Sequence, residues 1–600
     1  MSDISNINGK ELYNAIVSGI CKVISRHEYL NKINVFPVPD GDTGTNLLFT
    51  LKPILDIKDS ISEDVNDTLS KISNVAIDSA RGNSGTIMAQ YFIGMSEQAS
   101  LDQEQNLNNT NLNELLEAAY EAAKGSMSDP KEGTIITVMR DIAEEAKKHI
   151  NSDDMKKTFK AIYKVSIESL NNTPELMQLL KDSGVVDAGA QGFVDLIEGI
   201  CHYLEHGEIL NSESIEMYYT DDIDANVNIE NYDEATYQFC TECIVEGDGI
   251  SRRDMKETLN EMGDSFILAG TKNKVKIHIH TDTPNKVFDI CSEFGKIKNQ
   301  KADDMHQQVS SSHNSQSDIA IVTDSGCDIQ YDTHNSNIHI VPVRYSFGSK
   351  EYIDKVSQTS DEFYNELMTN PVHPKTSQPP TGDFISKYEN LSTHYKSIIS
   401  IHIPGKLSGT LQSAKNAVKR MENHNITHID SFSASVGLGL IVKRASELAS
   451  KINNHDEMVR KIELLIKNTE IFLTVNDISY AIKGGRVSKY KGTIAKLLKM
   501  HPILSTDKEG KLKAASALFG AKNLHQKFAQ FILKKLDQNY HYHISIGHSN
   551  AEDGGHEIVD VIENNFKNII SIDLVEMGSA LGVHSGPNSF IAGIQKEIDE

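Results

Sequence analysis

Two carboxylates one residue apart, Asp40 and Asp42, stand in the stretch Asn34-Val35-Phe36-Pro37-Val38-Pro39-Asp40-Gly41-Asp42-Thr43-Gly44-Thr45-Asn46. Pro37 and Pro39 fix φ and remove backbone donors, so the stretch is not helical. Gly41 and Gly44 permit tight backbone paths. The two acids therefore sit on a rigid, irregular loop, where oxygen ligands suit a hard cation such as Mg²⁺. A solvated Asp-Gly turn is the competing reading. Three further polar, Gly-rich stretches follow: Arg81-Gly82-Asn83-Ser84-Gly85-Thr86, Asp129-Pro130-Lys131-Glu132-Gly133-Thr134, and Asp182 through Gly192 with Asp187 and Gly189. Amides and small hydroxyls at a helix N-terminus make an anion site, although each stretch taken singly is equally a capped turn.

The elements between these loops are helical. Leu12, Ile16, Ile20, Val23 and Ile24 recur at helical spacing within Lys10–Ile33. Thr45 is expected to cap the next helix. Helices are also expected from about Val65 to Ala80, through Ile87, Met88 and Phe92, over Asn111–Lys124, after Thr134, over Met155–Leu180 with a break at Asn171–Pro174, and over Phe193–Leu204. Four polar Gly loops between helices fit one cup-shaped site better than four independent turns. Neither a Gly-x-x-x-x-Gly-Lys-Ser/Thr loop nor a Gly-x-Gly-x-x-Gly after a strand occurs in this region.

These residues carry a resemblance. Asn34 with Asp40-Gly-Asp42-x-Gly44, Gly82-x-Ser84-Gly85, Glu132-Gly133-Thr134 and Asp187-Ala188-Gly189-Ala190 look like the nucleotide-binding domain of dihydroxyacetone kinases. The version around Asp40 is closer still to the kinase component of bacterial fatty acid kinases. The resemblance implies ATP and Mg²⁺, with Asn34, Asp40 and Asp42 at the metal and the two acids catalytic. It implies nucleotide contacts from Asn46, Ser84, Gly85, Thr86, Gly133, Thr134, Asp187 and Gly189.

After an acidic linker near 206–225, the order strand (Tyr237–Val245), helix (Arg252–Met262), strand, strand, helix (Pro284–Phe294) suggests a small ferredoxin-like sheet. His278 and His280 share one strand face because side chains alternate. With Cys240 they form a candidate Cys-His-His zinc set; a polar face beside a buried thiol is the alternative. The segment resembles the middle domain of the same fatty acid kinases, which implies a structural zinc. Cys243 is expected to face away. Lys301–Ser317, rich in Ser, Gln, His and Asn, reads as a flexible linker.

From Asp318 onward strand and helix alternate, with strands at Asp318–Thr323, Ile338–Ser346, Tyr395–His402 and Ile426–Asp430 and a second α/β lobe after Val487. That rhythm predicts a parallel sheet with sites at strand ends. Thr376 and Ser377, Ser408 and Gly409, and His584 lie on such loops, and hydroxyls with an imidazole suit a carboxylate ligand. Strand-end caps and a turn histidine are the alternatives. Ser408 lacks a Gly-x-Ser-x-Gly elbow, which argues against a serine hydrolase. These segments, with Val322-Thr323-Asp324-Ser325 and Lys483-Gly484-Gly485-Arg486, resemble the DegV family. The resemblance implies a long-chain fatty acid between two lobes, its carboxylate held by Thr376, Ser408 and His584, with Arg486 working with the kinase. A second arginine common in that family is absent from Ala517–Lys522.

The expected architecture is multidomain: an all-α helical-barrel kinase domain (1–205), a small α+β middle domain (206–300), a linker (301–317) and a two-lobed α/β DegV-like domain (318–600). The expected reaction transfers the γ-phosphoryl of ATP to a fatty acid carboxylate. A kinase of a small hydroxy compound and a non-catalytic lipid-binding regulator are the alternatives. Fusion raises the effective concentration of acyl carrier at kinase. A net charge of −25 without a basic tract argues against nucleic acid. Six scattered cysteines, no leader-like N-terminus and no long apolar run predict a cytoplasmic protein. A homodimer, and an acyltransferase at the membrane that consumes acyl phosphate, are the implied partners.

Overall fold

The structure is a computed structural model that describes residues 5–102, 105–210, 236–313, 317–330, 337–421, 425–485, 500–520 and 522–598. The chain divides into two compact units, Met1–Ser312 and His313–Glu600.

The first unit opens with helices α1 (Gly9–Ser25), α2 (His27–Lys32), α3 (Thr43–Leu51), α4 (Val65–Ser79), α5 (Gly82–Asp102), α6 (Asn109–Ser126), α7 (Ile135–Lys147), α8 (Met155–Asn171), the short α9 (Thr173–Leu176) and α10 (Gln178–Ser183), and α11 (Ala188–His206). Lys10–Ile33 is thus not one helix: it breaks at Arg26, whose guanidinium turns to Asp195 (2.7 Å) and lies over the Tyr29 ring. The break at Asn171–Pro174 is present.

α1 and α11 cross where both are small. A Cβ on Gly199 would collide with the backbone of Ser18 and Gly19, so the two axes come together only with glycine there. The rest of the core is aliphatic and aromatic, with Leu12, Ile16, Ile20, Leu47, Leu69, Ile72, Met88, Phe92, Met139 and Phe193 all buried.

The middle sheet follows as β1 (Phe239–Glu246), β2 (Asp264–Thr271), β3 (Lys274–Thr281) and β4 (Lys296–Asp304), in spatial order β2-β3-β1-β4. Helices at Arg252–Leu259 and Pro284–Phe294 complete a ferredoxin-like βαββαβ unit. Its last strand corrects the linker expected at 301–317. Lys301 and Ala302 pair with Glu242 and Thr241, and Met305–His313 is helical. The polar composition misled because β4 is half solvent-facing. The acidic linker near 206–225 lies mostly outside the described residues.

The middle sheet shares the helical core. Ile267 and Ala269 of β2 pack into it, Gly270 N donates to Gln90 Oε1 of α5 (2.7 Å), and Ser128 N donates to Phe266 O (3.0 Å).

The second unit holds a parallel sheet ordered β11-β10-β5-β6, formed by β5 (Ile319–Asp324), β6 (Ile338–Val341), β10 (Ser397–His402) and β11 (Ile426–Asp430). The single strand expected at Ile338–Ser346 is two, because β7 (Arg344–Phe347) leaves for a small antiparallel sheet with β8 (Lys350–Ile353) and β9 (Lys375–Ser377). The other large sheet, ordered β14-β13-β12-β17-β15-β16, comprises β12 (Thr469–Thr474), β13 (Met500–Thr506), β14 (Leu512–Phe519), β15 (Tyr542–His548), β16 (Ile569–Glu576) and β17 (Phe590–Lys596). It is mostly antiparallel, with only β15–β16 parallel, and it begins before Val487. Among the described residues, no helix is long and apolar enough to cross a membrane.

Gly199→Val should lower stability by about 1–3 kcal/mol through overpacking at the α1–α11 crossing. A thermal melt of the full chain reads this, and an unchanged melting temperature would show that the helices can spread.

Candidate functional site

The Asp40–Asp42 loop is held from within. Asn34 donates from Nδ2 to Val38 O (2.7 Å), and its Oδ1 accepts from Thr43 N (3.0 Å) and the Thr43 hydroxyl. Asn34 is therefore a staple of the loop, with its polar ends spent on backbone and Thr43. Thr45 does not cap α3. That helix starts at Thr43 with Asp42 at its N-cap position, and the Thr45 hydroxyl accepts instead from Asn31 Nδ2 (2.9 Å).

Asp40 and Asp42 are half-buried residues whose carboxyls point into a crowded cleft. Burial, and then the facing Asp42 charge, raise the Asp40 carboxyl well above the usual carboxylate range. Burial also raises Asp42, opposed by a hydrogen bond from Asn46 and the nearby Lys301. Both acids are pushed toward protonation by burial, and Asp40 also by Asp42, so the pair is fit to bind a proton or a cation.

The cleft is lined by Asn34, Asp40, Asp42, Asn46, Asn83 and Ser84 from the helical domain, and by Cys240, His278 and His280 from the middle sheet. Its enclosed part is about 30 Å³, room for an ion or a water or two. The metal set expected as a separate structural site thus faces the two acids. Antiparallel pairing of β1 and β3 sets Cys240 opposite His280 and Glu242 opposite His278, all on one face. The ligand atoms of Cys240, His278 and His280 lie within 4.8 Å of one another. His278 Nδ1 meets Glu242 Oε1 (3.1 Å) and His280 Nδ1 meets Asp264 Oδ1 (3.3 Å). His278 Nε2 is buried with no partner, and burial lowers this imidazole to about 4, so it is neutral. A neutral imidazole fixed by a carboxylate, with its other nitrogen unspent, fits a metal ligand. Burial, then Glu242, raise the Cys240 thiol well above its ordinary value, so a metal there displaces a proton. Cys243 is buried on the opposite side of the strand, as alternation requires.

Of the other loops, the one carrying Asp187 and Gly189 approaches Ser84, and the one carrying Gly133 and Thr134 joins it only through Asp187. Gly189, in the first turn of α11, would set a Cβ 3.1 Å from Ser84 Oγ. Asp187 caps α11 through Ala190 N (2.7 Å) and also accepts from Ile135 N at the start of α7 (3.1 Å). Its burial raises the carboxyl to about 6. Gly133 has φ of +84° and donates to Thr137 Oγ1 (2.9 Å), while the Thr134 hydroxyl donates to Lys131 O (2.8 Å). Two expected phosphate contacts are spent elsewhere. Thr86 is fully buried and donates to Gly82 O (2.6 Å), and Gly85 packs on Thr50. Both lie inside α5, which begins at Gly82, and leave Ser84 as the accessible hydroxyl of that turn.

Sequence reasoning passed over Glu242, Lys276 and Lys301. Glu242 is 1% exposed, and Lys276 Nζ lies 2.9 Å from its Oε2. Burial opposes the Glu242 charge, yet Lys276, His278 and Lys301 hold its carboxyl well below the usual range. The spacing of Cys240 and Glu242 was the available signal, since residues two apart share a strand face.

In the second unit, Thr376, Ser377, Ser408, Gly409 and His584 all line one cavity of about 440 Å³. Its remaining wall is largely apolar, with Ile403, Ile471, Leu473, Leu504, Met577 and Ile591. Thr376 Oγ1 and His584 Nε2 are 3.1 Å apart, and Ser408 Oγ meets Thr410 Oγ1 at 2.8 Å. The helix 579–585 that carries His584 is anchored at its start: Gly578 N donates to Asp328 Oδ1 (3.0 Å) and Ala580 N to Asp354 Oδ1 (2.9 Å). A Ser400–His402–Asp324 chain (2.6 and 2.9 Å) runs back from this cavity, which Asp324 lines. It is completely buried and Ser400 also meets Tyr388, so it braces the sheet and offers no nucleophile. Arg486 lies outside the described residues.

Three consecutive segments match known families: the DAK2 domain over residues 37–202, the FakA-like middle domain of fatty acid kinase over 236–312, and the DegV family over 318–597. An uncharacterized protein of Staphylococcus aureus strain MRSA252 is 31% identical over 315 residues, 51% of this chain and 57% of that protein. The same figures hold for one from strain RF122. The chain thus spans little more than half the length of these relatives. Among solved structures, a fatty-acid-binding DegV family protein from Thermus thermophilus is 25% identical (TM-score 0.44), covering 46% of this chain and 99% of its own. The Streptococcus pneumoniae fatty acid kinase B3 protein loaded with linoleic acid is 22% identical (TM-score 0.42), covering 46% and 99%.

In metal-free protein at about pH 8, Asp40→Asn should raise the melting temperature by roughly 2–4 °C. The sign follows from linkage: a carboxyl raised in the fold costs stability once pH exceeds its unfolded value, and Asn carries no such cost. Mg²⁺ should raise the wild-type melting temperature and leave that of the variant unchanged. A lowered melting temperature without metal would contradict the electrostatic account.

Proposed function

From a chain that carries a DAK2 domain, a FakA-like middle domain and a DegV domain in that order, we propose a fatty acid kinase with its acyl-binding domain in the same polypeptide. The reaction moves the γ-phosphoryl of ATP onto the carboxylate of a long-chain fatty acid, giving an acyl phosphate and ADP. The observation that carries the reading is the pairing of two sites on one chain. One is a buried acid pair fit for a divalent cation, and the other is a 440 Å³ apolar cavity ending in hydroxyls and an imidazole.

The chemistry asks little covalent work of the protein. A fatty acid carboxylate is already ionised near neutral pH, so no general base is required. What remains is positioning and charge neutralisation. Asp40 and Asp42 would hold Mg²⁺, which would offset phosphate charge. Ser84 and the amides at the start of α5 face phosphate oxygens, and Asp187 ties the starts of α7 and α11 beside them. Thr376, Ser408 and His584 hold the lipid carboxylate without burying an opposite charge. Arg486 is assigned, by the DegV resemblance alone, to working with the kinase domain. Cys240, His278 and His280 would hold Zn²⁺ beside the acid pair, where it would supply positive charge to this wall of the cleft. A kinase of a small hydroxy compound would leave the apolar cavity without a use.

Two measurements check this. ADP release by the purified chain should depend on added oleate, and Asp42→Ala should cut it roughly 100-fold or more, the cost of removing one preorganised charge partner, while lipid stays bound. ADP release indifferent to oleate would contradict the acceptor. Separately, zinc affinity by chelator competition should rise about tenfold per pH unit near pH 8, because one Cys240 proton leaves on binding. A flat profile would exclude the thiol as a ligand.

A further inference from the structure

Glu242 joins two parts of the cleft that belong to different domains. Its Oε1 accepts from the backbone amide of Gly82, the first residue of α5 (2.7 Å), and faces His278 Nδ1 (3.1 Å). Its Oε2 takes Lys276 Nζ (2.9 Å) and stands 3.6 Å from the Arg81 guanidinium. Four donors, two from the α4–α5 junction and two from β3, therefore share one buried carboxylate.

The two contacts on Oε1 have chemical consequences. His278 lines the cleft with its Nδ1 3.1 Å from Glu242 Oε1 and 3.7 Å from Cys240 Sγ, and its buried Nε2 has no protein partner. The Gly82 amide is one of the first-turn donors that helix geometry leaves unsatisfied. Fixing it sets the turn that carries Ser84. Gly82 has φ of +58°, and a Cβ there would collide with the side-chain amide of Asn46, which lines the cleft with Asp42. Contacts thus run from His278 through Glu242, Gly82 and Asn46 to Asp42, around the cleft.

We infer that Glu242 is a positioning residue that couples the two ligands of the cleft: metal at Cys240, His278 and His280, and nucleotide at the start of α5. The inference rests on the functional reading above and goes beyond it in assigning a linkage. Cys240, His278 and His280 would hold the metal, and fixing the His278 ring there would order the Glu242 carboxylate it meets, which also holds the Gly82 amide. By reciprocity, nucleotide seated on that turn favours the metal.

The test uses the full chain and MgADP, so that no turnover occurs, with Zn²⁺ as the metal probe. In the wild type, zinc should tighten MgADP binding by at least about fivefold, the lower end of ordinary coupling. Glu242→Gln should weaken zinc binding about 10–100-fold and bring the zinc effect on MgADP, at saturating zinc, to within about twofold. Should Glu242→Gln fail to fold, hydrogen exchange of the unmutated chain decides. Zinc must slow exchange in the segment 80–84 of the helical domain as well as around 240–281. Overturning results are zinc binding with no change in MgADP affinity, a folded Glu242→Gln that keeps the wild-type coupling, or protection confined to the middle sheet. Absence of zinc binding in the wild type would overturn both this inference and the metal assignment. Zinc binding without coupling would overturn this inference alone.

Discussion

Asp40 and Asp42 are two like charges placed in a cleft with little water, and the first unit is built around satisfying them. Burial raises both carboxyls, so the pair is costly unless a proton or cation joins it. The prolines and the Asn34 staple keep the loop from relaxing outward. The middle sheet closes the same cleft with a thiol and two imidazoles, and brings Lys301 near Asp42. Positive charge is therefore supplied at one side of the acids and room for an ion at their face.

The docking of the middle sheet on α5 and α6 follows from ordinary burial. Ile267 and Ala269 join the aliphatic core of the helices, and the Gly270–Gln90 and Gly82–Glu242 hydrogen bonds fix the register of the contact. In the second unit the same division of labour recurs. Aliphatic side chains make the wall of the 440 Å³ cavity, while buried acids Asp328 and Asp354 pin the turn that carries His584. The imidazole of His584 thus stands on a turn fixed by its own hydrogen bonds.

Much of this was legible locally. Helical spacing located most of α1 through α11 to within a few residues, and strand alternation put Cys240, His278 and His280 on one face. What escaped was set by distant contacts. Nothing in the sequence near Asp40 announces that a strand two hundred residues later closes its cleft. The half-exposed β4 reads as a linker because its polar residues face water on one side and Lys301 serves the site on the other. Thr86 looked like a phosphate ligand by type and spacing, but a helical hydroxyl can bond back to the carbonyl four residues earlier, and here it does.

The central claim is that the product is an acyl phosphate made on this chain. Incubation of the purified protein with MgATP and oleate, followed by hydroxylamine, converts acyl phosphate to a hydroxamate that mass spectrometry identifies. The account predicts oleoyl hydroxamate in step with ADP, and none with Asp40→Ala. ADP formed with oleate present but without hydroxamate would contradict it.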